Sequence, residues 1–179
     1  MTRFTSVLIF ILSLQVHADD FRALELKPEK IECSIKNQVI QFKGAKVGYP
    51  IYDNNSRTVK LQACEKIKIK NFEFYTAQFT NEIHEGTTSQ KVLTYEVALL
   101  TKSGTLQTVR SEIVDQIELS GDLLNTNFDS SIHVTWGQSK KDERILLKVE
   151  IRTKNEKPLN YLLKLNSKLS WFENLFEKK

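Results

Sequence analysis

No apolar run in this chain reaches the roughly 20 residues that a membrane-spanning helix needs. The longest, Val7 to Leu14, follows a single cation, Arg3, and precedes Val16-His17-Ala18. A short apolar stretch with a small residue at its end reads as a secretory leader, residues 1–18, cut after Ala18. Cysteine is nearly absent, with two in the chain, and neither lies near that cut. A lipid-bearing first residue is therefore not expected, and the mature segment, 19–179, should be secreted or periplasmic. Histidine is equally sparse at three, and glycine stops at six. No glycine-rich phosphate loop and no Gly-x-Ser-x-Gly elbow occurs, which removes the usual nucleotide-binding and α/β-hydrolase signatures.

A one-sided charge is also missing. Lys and Arg number 26 against 22 Asp and Glu, and loss of Arg3 with the leader leaves a net charge of +3. The cations are spread out. Lys66, Lys68 and Lys70 alternate with Ile67 and Ile69, as on the wet side of a strand. Nucleic-acid binders gather their cations on one patch with aromatics between them, so no nucleic-acid partner is expected.

In an oxidising compartment, two cysteines predict a Cys33–Cys64 disulfide. They are too far apart in sequence for a thioredoxin-like redox pair. The mature length, about 160 residues, suits one domain that buries roughly two-thirds of its unfolded surface.

What the chain has in abundance is alternation with period two. Ile31, Cys33 and Ile35 share one face, and Asn37-Gln38 turns the chain into Val39–Phe42. Val59, Leu61, Ala63, Ile67 and Ile69 keep one parity through the second cysteine, as one bent strand or two short ones. Tyr75, Ala77, Phe79 and Ile83 alternate with Thr76, Gln78, Thr80 and Glu82, which places the second set in solvent. Leu93, Tyr95, Val97 and Leu99 follow, then Val109, Ile113, Ile117 and Leu119. Ile132, Val134 and Trp136 precede Ile145, Leu147, Val149 and Ile151, and Tyr161, Leu163 and Leu165 close the series.

Short turns make antiparallel neighbours. The expected fold is a single all-β domain, an up-and-down meander of about eight to nine strands. It should close as a barrel or fold as a sandwich to hide its edges. At the C-terminus, Ser170 and Glu173 fit a capping box. Trp171, Phe172, Leu175 and Phe176 then predict a short helix that lids the sheet or serves as a docking tail.

Catalytic chemistry is hard to place. His84, bracketed by Glu82 and Glu85, and His133 are the histidines that survive leader cleavage. A hydrolase would have to use one of them, and neither shows metal-ligand spacing. No catalytic residue, metal or cofactor is assigned. Asn54-Asn55-Ser56 matches the N-glycosylation pattern in a loop.

Two barrel types fit this length and alternation. A small outer-membrane barrel has this length, but the chain ends Phe176-Glu177-Lys178-Lys179, without a terminal aromatic strand. A lipocalin-like architecture suits the topology, yet neither Trp136 nor Trp171 has glycine two places before it. The functional expectation is an exported non-catalytic binding or interaction domain. It would take a small apolar ligand inside the β-barrel, or a protein partner.

Overall fold

Alternating β-branched and aromatic residues extend wherever the two faces of a strand meet different surroundings. The computed structural model describes residues 20–37, 39–45, 49–50, 56–85, 88–109, 117–120, 130–153, 157–170 and 172–175. Residues 1–18, read from sequence as a leader, lie outside them, as do Asn54-Asn55 and Ile113. The elements are β1 (Phe21–Ala23), β2 (Glu29–Lys30), β3 (Cys33–Lys36), β4 (Val39–Phe42), β5 (Tyr49–Pro50), β6 (Ser56–Ile69) and β7 (Phe72–Glu85). They continue with β8 (Thr88–Leu100), β9 (Leu106–Thr108), β10 (Ile117–Ser120), β11 (Ser130–Ser139), β12 (Ile145–Thr153), β13 (Leu159–Leu165) and β14 (Phe172–Asn174).

The fold is all-β and antiparallel, but the described strands do not close into a barrel. They form three sheets. One runs β1-β11-β12-β13-β14, a second β10-β8-β7-β6-β2 with β9 also on β8, and a third β3-β4-β5. The meander is real within β6-β7-β8 and within β11-β12-β13. It breaks between β10 and β11, where the chain passes from one large sheet to the other. Splitting a long sheet into packed layers hides its apolar faces as well as closure does.

The two large sheets share one core. Ile67, Phe74, Leu93, Tyr95 and Val97 from the second meet Trp136, Leu147, Val149, Leu163 and Phe172 from the first. The Phe74 and Trp136 rings sit 5.0 Å apart, tilted by 47°. The Tyr95 hydroxyl hydrogen-bonds the Thr76 and Trp136 side chains, so the buried polar atoms there are matched. Burial pushes the Tyr95 phenol up to about 12 against those bonds.

The small third sheet covers the other side of the second. Ile40 and Phe42 pack on Cys64, Tyr75, Ala77, Phe79 and Ala98. The Phe42 and Tyr75 rings lie 5.3 Å apart. Strand β7 is therefore covered on both sides. Tyr75 and Phe79 are core residues as expected, but of a different core from Leu93, Tyr95, Val97 and Leu99. Thr76 and Thr80, expected in solvent, are 2% and 4% exposed. Their partners across the ladder are Val97 and Leu93, which point into the sandwich.

Strand β6 is one strand with two register shifts against β7, one between Ser56 and Thr58 and one between Leu61 and Ala63. Leu61 pairs with Phe79 and Ala63 with Gln78, so Gln62 is an extra residue between them. An inserted residue reverses which parity faces which side. Val59 and Leu61 accordingly face the hairpin β3–β4, and Ile67 and Ile69 face the sandwich.

The C-terminal helix is replaced by a strand. Phe172 pairs with Leu165, Glu173 with Lys164 and Asn174 with Leu163. Ser170 does not cap a helix; its N–H donates to Asn166 Oδ1 at 3.1 Å. Leu169, at φ 57°, turns the chain back onto β13. The open edge of β13 outcompetes a short isolated helix, which is marginal in water.

Candidate functional site

Residues 20 to 33 form a strap across all three layers. Phe21 to Ala23 pair with β11, Glu29 and Lys30 with β6, and Cys33 opens the third sheet. Leu24 and Leu26 lie against the sandwich core on the way. The strap is tied at both ends. At the far end Cys33 and Cys64 form the predicted disulfide, spanning 31 residues of sequence. Cys64 is buried at 4% exposure, and the bond is compatible with an oxidising extracellular or periplasmic compartment.

At the near end, Asp20 is buried. Ser139 Oγ–H donates to Asp20 Oδ2 at 2.8 Å and the Lys141 N–H to Oδ1 at 3.1 Å. Burial pushes the Asp20 carboxyl up, but these donors and the Lys141 and Lys164 charges bring it below its ordinary value. Asp142 beside it receives Lys164 Nζ and Arg144 Nη2, each at 2.7 Å. Those partners overcome burial and hold its carboxyl well below the carboxylate range. The Asp20–Ser139 pair resembles catalytic machinery only superficially. Ser139 is fully buried and already donates to a carboxylate, so its hydroxyl is committed to holding β1.

Two clefts open where the strap crosses β6. The first, about 390 Å³, is lined by Lys30, Ile31, Cys33, Leu61, Gln62, Ala63 and Cys64. The second, about 420 Å³, is lined by Glu29, Lys30, Ile31, Glu32, Lys43, Gly44, Lys66 and Tyr75. They share Lys30 and Ile31. Behind the second, Lys66 Nζ lies 3.1 Å from Glu73 Oε1, and Tyr75 Oη–H donates to the same oxygen at 2.9 Å. The Glu73 contact raises the Lys66 ammonium above its ordinary value, and burial first, then Glu73, raises the Tyr75 phenol. Tyr75 therefore stays a protonated donor and Lys66 a cation.

The two histidines singled out by sequence lie on strands of different sheets. His133 is exposed on β11, its Nε2 3.1 Å from Ser131 Oγ and its Cα opposite Glu150. His84 sits on β7 opposite Ser89, in the other large sheet. The side chains of His84, Glu82 and Glu85 lie outside the described residues. Among the described residues no group of three His, Cys, Asp or Glu is placed to hold a metal. Phe172 is buried in the sandwich and Leu175 is half-buried, its N–H donating to the Leu162 carbonyl at 2.9 Å. Trp171 and Phe176 lie outside the described residues.

Lys30, Gln62, Lys66 and Tyr75 were not singled out for function. One signal was there: from Phe72 to Phe79 apolar side chains fall on both parities, which marks a strand covered on both sides. Compared with known proteins, the chain matches no family model, no curated protein and no solved structure.

Proposed function

We propose that this chain is an exported, non-catalytic binding domain. Its ligand is held at the seam between the strap and the central sheet, not inside a barrel. One observation carries this reading: two adjoining clefts, each of small-ligand size, share a wall pinned by a disulfide. A binding wall fixed in advance loses little entropy when it is occupied. The interior of the sandwich offers less support as a site, because Phe74, Tyr95 and Trp136 meet across it. The cleft lining supports binding over chemistry. Ile31, Leu61 and Ala63 supply apolar contact, while Lys66, Glu73 and Tyr75 satisfy one another.

The test is a co-purified molecule. The protein is isolated from its native export compartment and extracted for mass spectrometry, beside an Ala63→Trp variant whose indole fills the first cleft. A molecule enriched with the wild type and lost from the variant supports the reading. Its equal presence on both, or its absence from both, contradicts it.

A further inference from the structure

We propose that the first cleft binds an extended peptide segment carrying a carboxylate, which adds a strand to the outer edge of β6. This rests on the binding-domain reading and names the class of ligand.

The edge itself is the first argument. β6 runs for 14 residues and pairs with β7 along its inner side. On its outer side β2 covers only Lys66 and Glu65, and the Ile31 N–H then donates to the Cys64 carbonyl at 3.0 Å. Past that point the strap turns away into β3. From Ala63 back toward Ser56, no strand among the described residues pairs with this edge. The first cleft begins at that fork. The strap's own residues 29–31 show that the edge accepts an antiparallel extended chain, and the cleft continues the same line. Main-chain pairing along such an edge supplies affinity, and the side-chain pockets supply choice.

Charge selects the occupant. Among the described residues, Lys30 is the one charged residue lining this cleft. Neither Lys30 nor the exposed Lys60 has an ion-pair partner among the described residues. Their neighbours Lys43, Lys66 and Lys70 are all paired. A bulge and exposed lysines are the devices by which an edge repels a second copy of itself. Two such edges meeting would bring lysines against lysines. An incoming strand with an aspartate, a glutamate or a terminal carboxylate meets an attraction instead. Ile31, Leu61 and Ala63 offer the strand's alternate side chains a small apolar seat.

The experiment is a selection from a random decapeptide display library on the full mature protein. The enriched peptides are then synthesised and titrated calorimetrically against wild type, Lys30→Glu and Ala63→Trp. Lys30 is exposed, so Lys30→Glu should leave the fold intact. The circular dichroism of each variant is checked first. The expected result is enrichment of acidic, β-branched peptides. Lys30→Glu should weaken their binding about tenfold or more, and Ala63→Trp should abolish it. Amide shifts on binding should centre on residues 61–64. Enrichment of peptides without acids, unchanged binding to Lys30→Glu, or shifts centred elsewhere would overturn the proposal. If no peptide is enriched but a small molecule co-purifies with wild type and not with Ala63→Trp, this inference falls and the binding-domain reading stands.

Discussion

Leu61 and Ile67 lie six positions apart on the same parity of one strand, yet they face opposite sides of the central sheet. The bulge at Gln62 makes this possible. A single extra residue lets β6 feed its first half to the hairpin β3–β4 and its second half to the sandwich. The cleft opens beside the same irregularity, so the architecture and the candidate site have one origin.

The disulfide should matter most to the hairpin layer. Replacing both Cys33 and Cys64 with alanine should lower stability by about 3–4 kcal/mol in the chain-entropy picture, read as a drop in the urea midpoint. Amide exchange should quicken at Ile35, Ile40 and Tyr75 and stay slow at Leu147 and Val149, which belong to the other core. Uniform acceleration at both sets would show that the staple does not act on one layer.

Gly137 permits β1 to dock. A Cβ at this position would meet Phe21 Cζ at 2.6 Å and the Arg22 carbonyl oxygen at 2.8 Å. Gly137→Val should cost about 1–3 kcal/mol and free residues 20–24 to limited proteolysis. A variant with an unchanged melting temperature and a protected N-terminus would contradict the crossing described here.

Tyr95 links three strands of the sandwich, β8, β7 and β11, through one hydroxyl. Tyr95→Phe leaves the Trp136 indole N–H and the Thr76 hydroxyl without that partner in a buried setting. The expected loss is about 1–3 kcal/mol by chemical denaturation. Full wild-type stability would mean that the network contributes nothing net.

Much of this was legible from alternation alone. Leu93 to Leu99, Ile145 to Ile151 and Tyr161 to Leu165 form strands with the expected inward faces. The rest was not legible, for physical reasons. A bulge leaves no mark in composition, so the parity of Val59 and Leu61 looked continuous with that of Ile67. Threonine reads as solvent-facing, yet Thr76 and Thr80 sit in the sandwich because β7 is covered from both sides. Ser170 to Phe176 carried helix spacing, and a free edge on β13 claimed Phe172–Asn174 as a strand. The cleft depends on where strap and strand part, a tertiary fact with no local motif.

Acid should loosen the N-terminal anchor. Asp20 and Asp142 both titrate below their ordinary values in the folded protein. A carboxyl depressed on folding contributes stability above its unfolded value, about 3.9, and loses it as pH falls toward the folded one. Unfolding free energy should therefore be flat from pH 7 to about 5 and fall steeply below about 4. Asp20→Asn should flatten part of that fall. An acid limb unchanged by the substitution would remove Asp20 from the account.

Cross-strand NOEs between β6 and β7 decide the central point, the slip at Gln62. The slipped ladder places Cys64 opposite Ala77 and Glu65 opposite Thr76. Strong backbone NOEs for those two pairs, with Leu61 still opposite Phe79, are the predicted result. An unbroken ladder would instead put Ala63 opposite Ala77 and Cys64 opposite Thr76. NOEs for that register would contradict the two-sided sheet, and the cleft built beside the bulge would go with it.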